Sequence, residues 1–153
     1  MKEIPFGRFF EEFKVGDTYR HSVSKTITDS DNNLFSLLTM NHHPVHLNAH
    51  YAKEQYHGKI LVVGTLVFSL VVGLTVADIS GKAVANLDYE SIQHKAPVFI
   101  GDTIRAETEV LEKRLSKSNA KRGIVYVETK AYNQSDDEVL SFRRHVLIKS
   151  KPV

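Results

Sequence analysis

The chain of 153 residues contains no cysteine and no tryptophan, and only four prolines and two methionines. Without a thiol there is no disulfide, no thiolate nucleophile and no cysteine-ligated zinc. The absence fits a cytoplasmic protein. Neither sign of charge dominates: 20 Lys and Arg face 18 Asp and Glu, a formal net charge of +2. Nucleic-acid binding, which calls for basic residues concentrated on one face, is therefore not expected. The first residues, Met1 to Gly7, lack the apolar core of a signal peptide. One long apolar run exists, Ile60 to Ile79, of nearly membrane-spanning length. Gly64, Thr65, Ser69, Gly73, Thr75 and Asp78 interrupt it. It reads as a buried central helix, with no membrane partner.

No repeat, linker or low-complexity stretch divides the chain, and residues 1–153 are read as a single domain. After a leading arm and a Gly16-Asp17 turn, Tyr19 to Thr28 alternates as a strand does. Thr28 followed by Asp31 reads as a helix N-cap, with Leu34, Phe35, Leu37 and Leu38 giving the helix an apolar side. A short helix restarts near Leu47 or Asn48 and runs through Tyr56, and a helix apolar all round starts at Gly64 and runs to about Ser80. Four strands follow: Ala83 to His94, Thr103 to Leu115, Gly123 to Asn133 and Val139 to Lys149. Short turns between consecutive strands imply an antiparallel sheet. The predicted class is α+β, a curved antiparallel sheet wrapped around one central helix.

Four of the eight histidines, His42, His43, His46 and His50, fall within nine residues around Pro44. The unperturbed imidazole pKa of about 6.5 suits proton transfer near neutrality. His42, His46 and His50 have the four-residue spacing of ligands on one helical face. Pro44 breaks that helix, and no acidic residue between Asn41 and Lys53 completes a zinc site. No metal and no cofactor are expected. As an acid–base centre the pair would be His46, which exchanges a proton, and Asn41, whose amide only hydrogen-bonds. The N-terminus of the helix at Gly64 offers unpaired N–H groups and positive potential, suited to an enolate or thioester oxygen.

These residues carry a resemblance. Phe35-Ser36-Leu37-Leu38-Thr39, Pro44-Val45-His46, Tyr51-Ala52 and Leu61-Val62-Val63-Gly64 resemble the hydratase signature of the MaoC-like dehydratase family. Ala96-Pro97-Val98-Phe99-Ile100-Gly101-Asp102-Thr103-Ile104 resembles that family's proline–glycine–aspartate turn into a long strand. The similarity runs from Tyr19 to Leu147. Within the family, Asn86-Leu87 and Glu112 to Gly123 look most like the mesaconyl-CoA hydratase, or β-methylmalyl-CoA dehydratase, branch. The resemblance implies a hot-dog fold, at least a homodimer with acyl-CoA sites at the subunit interface, and reversible addition of water to a 2-enoyl-CoA thioester of short or branched chain. His46 matches the signature's histidine and Pro44 its proline, and Gly64 matches the residue whose N–H polarises the thioester carbonyl. His43, Val63 and Thr65 become expected substrate contacts.

The family's Asp-x-Asn-Pro-x-His reads here with Asn41 in place of the aspartate, His43 in place of the asparagine, and Met40 in place of the preceding glycine. An amide does not accept a proton at useful pH. Four readings stay open: an active site in which His46 does the acid–base work and Asn41 holds the water; replacement of the carboxylate by His42 or His43; an acyl-CoA-binding protein with impaired turnover; or other hot-dog chemistry such as thioester hydrolysis. The basic run Lys113-Arg114, Lys117, Lys121-Arg122 suits CoA phosphates, with Lys121 and Arg122 as expected contacts. It equally suits a solvated hairpin.

Overall fold

A computed structural model describes residues 1–153. One antiparallel sheet runs in the order β1-β5-β6-β7-β3, with β2 also paired to β5 and β4 to β7. The strands are β1 (Thr18–Arg20), β2 (Lys25–Thr26), β3 (Ala83–Asn86), β4 (Glu90–His94), β5 (Thr103–Leu115), β6 (Arg122–Tyr132) and β7 (Glu138–Lys149). The helices are α1 (Asp29–Leu38), α2 (Pro44–Leu47), α3 (Ala49–Lys53) and α4 (Gly64–Leu74). The three long strands lie in the expected places, and their alternation sets the inner face. Ile104, Ala106, Thr108 and Val110 of β5 are buried, as are Val125, Val127, Thr129 and Ala131 of β6. Val67 and Val71 of α4 pack on the Ile104, Ala106, Ala131, Leu140 and Phe142 part of that face. Phe10 and Phe13 of the leading arm cover the other part, with Val110, Val125, Val127 and Ile148.

Five expectations need correction. The single strand expected over Tyr19 to Thr28 is β1 and β2, separated where His21 turns inward to bond other groups. The single strand expected over Ala83 to His94 is β3 and β4, because regular pairing lapses after the Leu87 N–H donates to His145 O and resumes at Glu90. The short helix expected through Tyr56 ends at Lys53. The central helix ends its α-helical part at Leu74 and continues as a π-helical turn, Val76–Ser80, after the Thr75 hydroxyl donates back to the Val72 carbonyl at 2.7 Å. Nor is α4 buried all round within one chain: Thr65, Ser69 and Gly73, four residues apart, form an exposed stripe of small side chains. No helix is long and apolar enough to cross a membrane.

The end of α4 away from Gly64 holds a buried cation. Arg144, on the inner face of β7, is 2% exposed and donates to the Thr75 hydroxyl at 2.7 Å and to the Asn86 side-chain oxygen at 3.2 Å. Burial holds its pKa below the usual guanidinium value.

Candidate active site

The segment that carries the site is fixed at both ends by capping chemistry. At the start of α1 the Thr28 hydroxyl accepts from the Asp31 N–H at 3.2 Å, and the Thr28 N–H donates to the Asp31 carboxylate at 2.9 Å. Hydrogen bonds from Lys25 and from Thr28 hold the Asp31 carboxyl below its usual pKa. At the other end the Met40 N–H donates to Leu37 O and the Asn41 N–H to Ser36 O, the two bonds of a Schellman closure. That closure requires left-handed backbone at Met40, where φ is +59°. Asn41 therefore leaves α1 in a set direction, and its side-chain oxygen lies 3.4 Å from the His43 N–H.

His43 caps α2: its Nδ1 accepts from the Val45 N–H at 3.1 Å, and Pro44 fills the first helical position. His46 follows in the only turn of α2. Its Nδ1 lies 2.6 Å from Leu61 O, and a carbonyl accepts, so Nδ1 carries the proton. The Nε2 lone pair of a neutral His46 is then free to take a proton. The rings of His43 and His46 are 6.0 Å apart, centroid to centroid.

Asn32, missed in the sequence, joins this segment to α4. It is 1% exposed, donates from Nδ2 to His46 O at 3.0 Å, and accepts at Oδ1 from the Val63 N–H at 3.0 Å. An asparagine on the inner side of a helix is the available signal, but its partners lie 14 and 31 positions away. Val63 is the N-cap of α4 without a side-chain cap, and the N–H groups of Leu66 and Val67 both donate to its carbonyl. The Gly64 and Thr65 N–H groups have no acceptor within the protein, so the positive end of α4 is open.

A cavity of about 440 Å³ adjoins that helix end, with Leu61, Gly64 and Val67 on one side, Pro97 and Val98 on another, and His57, His94 and Lys95 as polar groups. Of the expected residues, Gly64 lines it. His46 connects to it through Leu61, and Asn41 and His43 stand on the loop outside it. Val63 is buried with its N–H committed to Asn32, and Thr65 is exposed on the first turn of α4. Lys121 and Arg122 do not join this group within one chain. They open β6 at the end where Gly123 meets Phe10, on the side of Ile79, whereas Gly64 starts the opposite end of α4. Antiparallel pairing puts the β5–β6 hairpin there. The cation lining the cavity near Gly64 is Lys95, and Lys59 lies over the Phe99 ring at 4.1 Å. The Pro97–Asp102 turn is structural: Asp102 accepts from the Phe99 N–H and from Gln134, and Ile27 exchanges backbone bonds with Gly101 and Asp102.

A profile of the MaoC like domain matches residues 11–133. The chain belongs to the MaoC-like family. Over 145 residues this MaoC-like chain is 37% identical to mesaconyl-CoA hydratase from Cereibacter sphaeroides, covering 95% of this chain and 42% of that protein. A structure described as a putative MaoC domain protein dehydratase from Chloroflexus aurantiacus superposes with a TM-score of 0.93 at 33% identity, covering 99% of this chain and 43% of the other. A Mycobacterium tuberculosis protein described as having a double hot-dog fold superposes at 0.86 and 20% identity, over 95% of this chain and 45% of its own. The fold of the MaoC-like chain is thus the hot-dog fold, and the chain spans about two fifths of the length of the first of these relatives.

Proposed function

We propose that this MaoC-like chain adds water to, or removes it from, the double bond of a short or branched 2-enoyl-CoA thioester. The observation that carries the reading is His46, held at Nδ1 by Leu61 O, beside a helix end with two unpaired N–H groups. In the hydration direction, Nε2 of His46 takes a proton from water as the water oxygen bonds the β-carbon. The electron pair moves onto the thioester oxygen, which the Gly64 N–H and the positive end of α4 stabilise. The imidazolium then returns the proton to the α-carbon. Asn41 holds the water, and no cofactor enters. Lys95 and Lys59 supply positive charge for the CoA phosphates.

A second copy of the chain covers the stripe Thr65, Ser69, Gly73, whose small side chains allow a helix to approach closely. The homodimer places two such sites side by side. Residues 1–153 act as one domain of the cytoplasm.

Asn41 favours one other reading, an acyl-CoA-binding protein with little turnover, because the amide provides no second acid or base. Purified protein assayed with crotonyl-CoA and mesaconyl-CoA, followed at the enoyl-thioester absorbance, separates the two. Loss of absorbance with a hydroxyacyl product supports hydration. Binding by calorimetry without turnover supports the second.

A further inference from the structure

We infer that His94 is a second hydrogen-bond donor to the thioester carbonyl oxygen, facing the Gly64 N–H across the same pocket. The inference rests on the hydratase reading above and adds a residue to it. Plain alternation along β4 would not bring His94 to the helix side of the sheet. Glu90 pairs with Arg143 on the outer face, so strict alternation would leave His94, four residues on, outside as well. Instead Gln93 pairs with Ser141 and His94 with Leu140: three steps along β4 match two along β7. The extra residue is a β-bulge, and Ser91 within it has φ of +50°. Beyond a bulge every side chain changes face, which turns His94 to the side of the buried Leu140 and towards α4.

The ring then rests on Gly64. A Cβ at that position would stand 3.0 Å from Cε1 and 3.1 Å from Nε2 of His94, closer than ordinary packing, with Nδ1 at 3.6 Å. Glycine is therefore what lets the imidazole lie against the first turn of α4. Neither ring nitrogen of His94 bonds another protein group, and the side chain lines the cavity with Gly64 and Leu61. His94 is exposed in the single chain, so its nitrogens are open to the cavity and to solvent. His94 carries an uncommitted N–H beside an uncommitted backbone N–H, the arrangement that a carbonyl oxygen gaining charge requires. The step makes and breaks no bond at His94, which donates a hydrogen bond that strengthens as charge reaches the oxygen.

His94→Phe keeps a ring and removes the donor; His94→Gln returns an N–H. With crotonyl-CoA, His94→Phe should lower kcat by about 10²-fold, leave KM within about threefold, and show thermal stability close to wild type. His94→Gln should recover most of the rate. A readout independent of turnover uses His46→Ala as background: bound crotonyl-CoA should show the red-shifted absorbance of a polarised enoyl thioester, and His94→Phe should reduce that shift. Equal kcat and equal shift in His94→Phe and its parent overturn the role of His94 while leaving the hydratase reading intact. A protein that binds crotonyl-CoA without turnover overturns the hydratase reading, and the red shift alone then decides for or against His94. Failure to bind crotonyl-CoA at all overturns both.

Discussion

His21 and His46 sit at opposite ends of α4, and their hydrogen bonds give them opposite roles. His21 is 4% exposed, with Nδ1 at 2.7 Å from the Asp78 carboxylate and Nε2 at 2.7 Å from the Thr108 hydroxyl, which meets Thr129 at 2.8 Å. Arg8 closes the cluster by donating to Asp78 O at 2.8 Å and lying over the Tyr19 ring. Every polar atom of that imidazole is committed. His46 is committed at one nitrogen only, and Nε2 remains. An imidazole bonded at both ends joins parts of the chain; one bonded at a single end is oriented and still able to exchange a proton. Two residues of the same type are thus a staple and, in the proposed reaction, a reagent.

The comparison can be broken in four ways. The largest effect belongs to His46→Ala, which should lower the hydration rate of crotonyl-CoA by about 10²–10⁴-fold. Its denaturation midpoint should stay near wild type, and a variant of unchanged rate would remove His46 from the chemistry. His21→Ala should do the reverse. It takes one of two partners from the buried Thr108 hydroxyl, which keeps Thr129, and one from the Asp78 carboxylate, costing about 1–3 kcal/mol in urea unfolding, with kcat unchanged. Asn32→Ala should cross the divide. The buried Val63 N–H and His46 O lose their partner, costing about 2 kcal/mol, and kcat should fall several-fold because His46 and the start of α4 lose their common anchor. A loss of stability with full activity would show that Leu61 alone orients His46. Met40→Gly should stabilise the fold by about 1 kcal/mol, since Met40 holds φ of +59° where glycine has no steric cost, while catalysis stays the same.

The smallest effect is a pH dependence away from both histidines. The folded-state pKa of Asp31 is depressed, so its contribution is present above the usual carboxylate value of about 3.9. It is lost as pH falls through the lower folded value. The stability difference between wild type and Asp31→Asn should therefore be constant near neutrality and shrink below about pH 4. A difference that grew in acid would contradict the capping geometry.

What could be read from the sequence was local. Thr28 and Asp31 are three residues apart and announce the start of α1, Gly64 marks the start of α4, and the alternation of β5 to β7 fixes their inner faces. The His46, Pro44 and Gly64 signature depended on residues near one another in the chain or on a resemblance that spans it. Asn32 escaped because its meaning lies in bonds to His46 and Val63, which only the folded chain brings together. His94 escaped because one extra residue near Ser91 inverts the alternation that strand reading assumes. The expectation for Lys121 and Arg122 rests on charge alone, and within one chain the hairpin joining β5 to β6 lies at the end of the sheet away from Gly64.

Arg144 gives α4 a property that none of its own residues has. An isolated helix carries equal and opposite partial charges at its two ends. Here the negative end meets a guanidinium sealed in the protein at the Thr75 cap, about 16 Å along the helix from Gly64 by its rise per residue. The far pole is answered inside the fold, and water has little part in answering it. The near pole is left without a protein counter-charge. In electrical terms α4 is a battery wired at one terminal only, and the open terminal faces the cavity where a ligand's negative charge would complete the circuit.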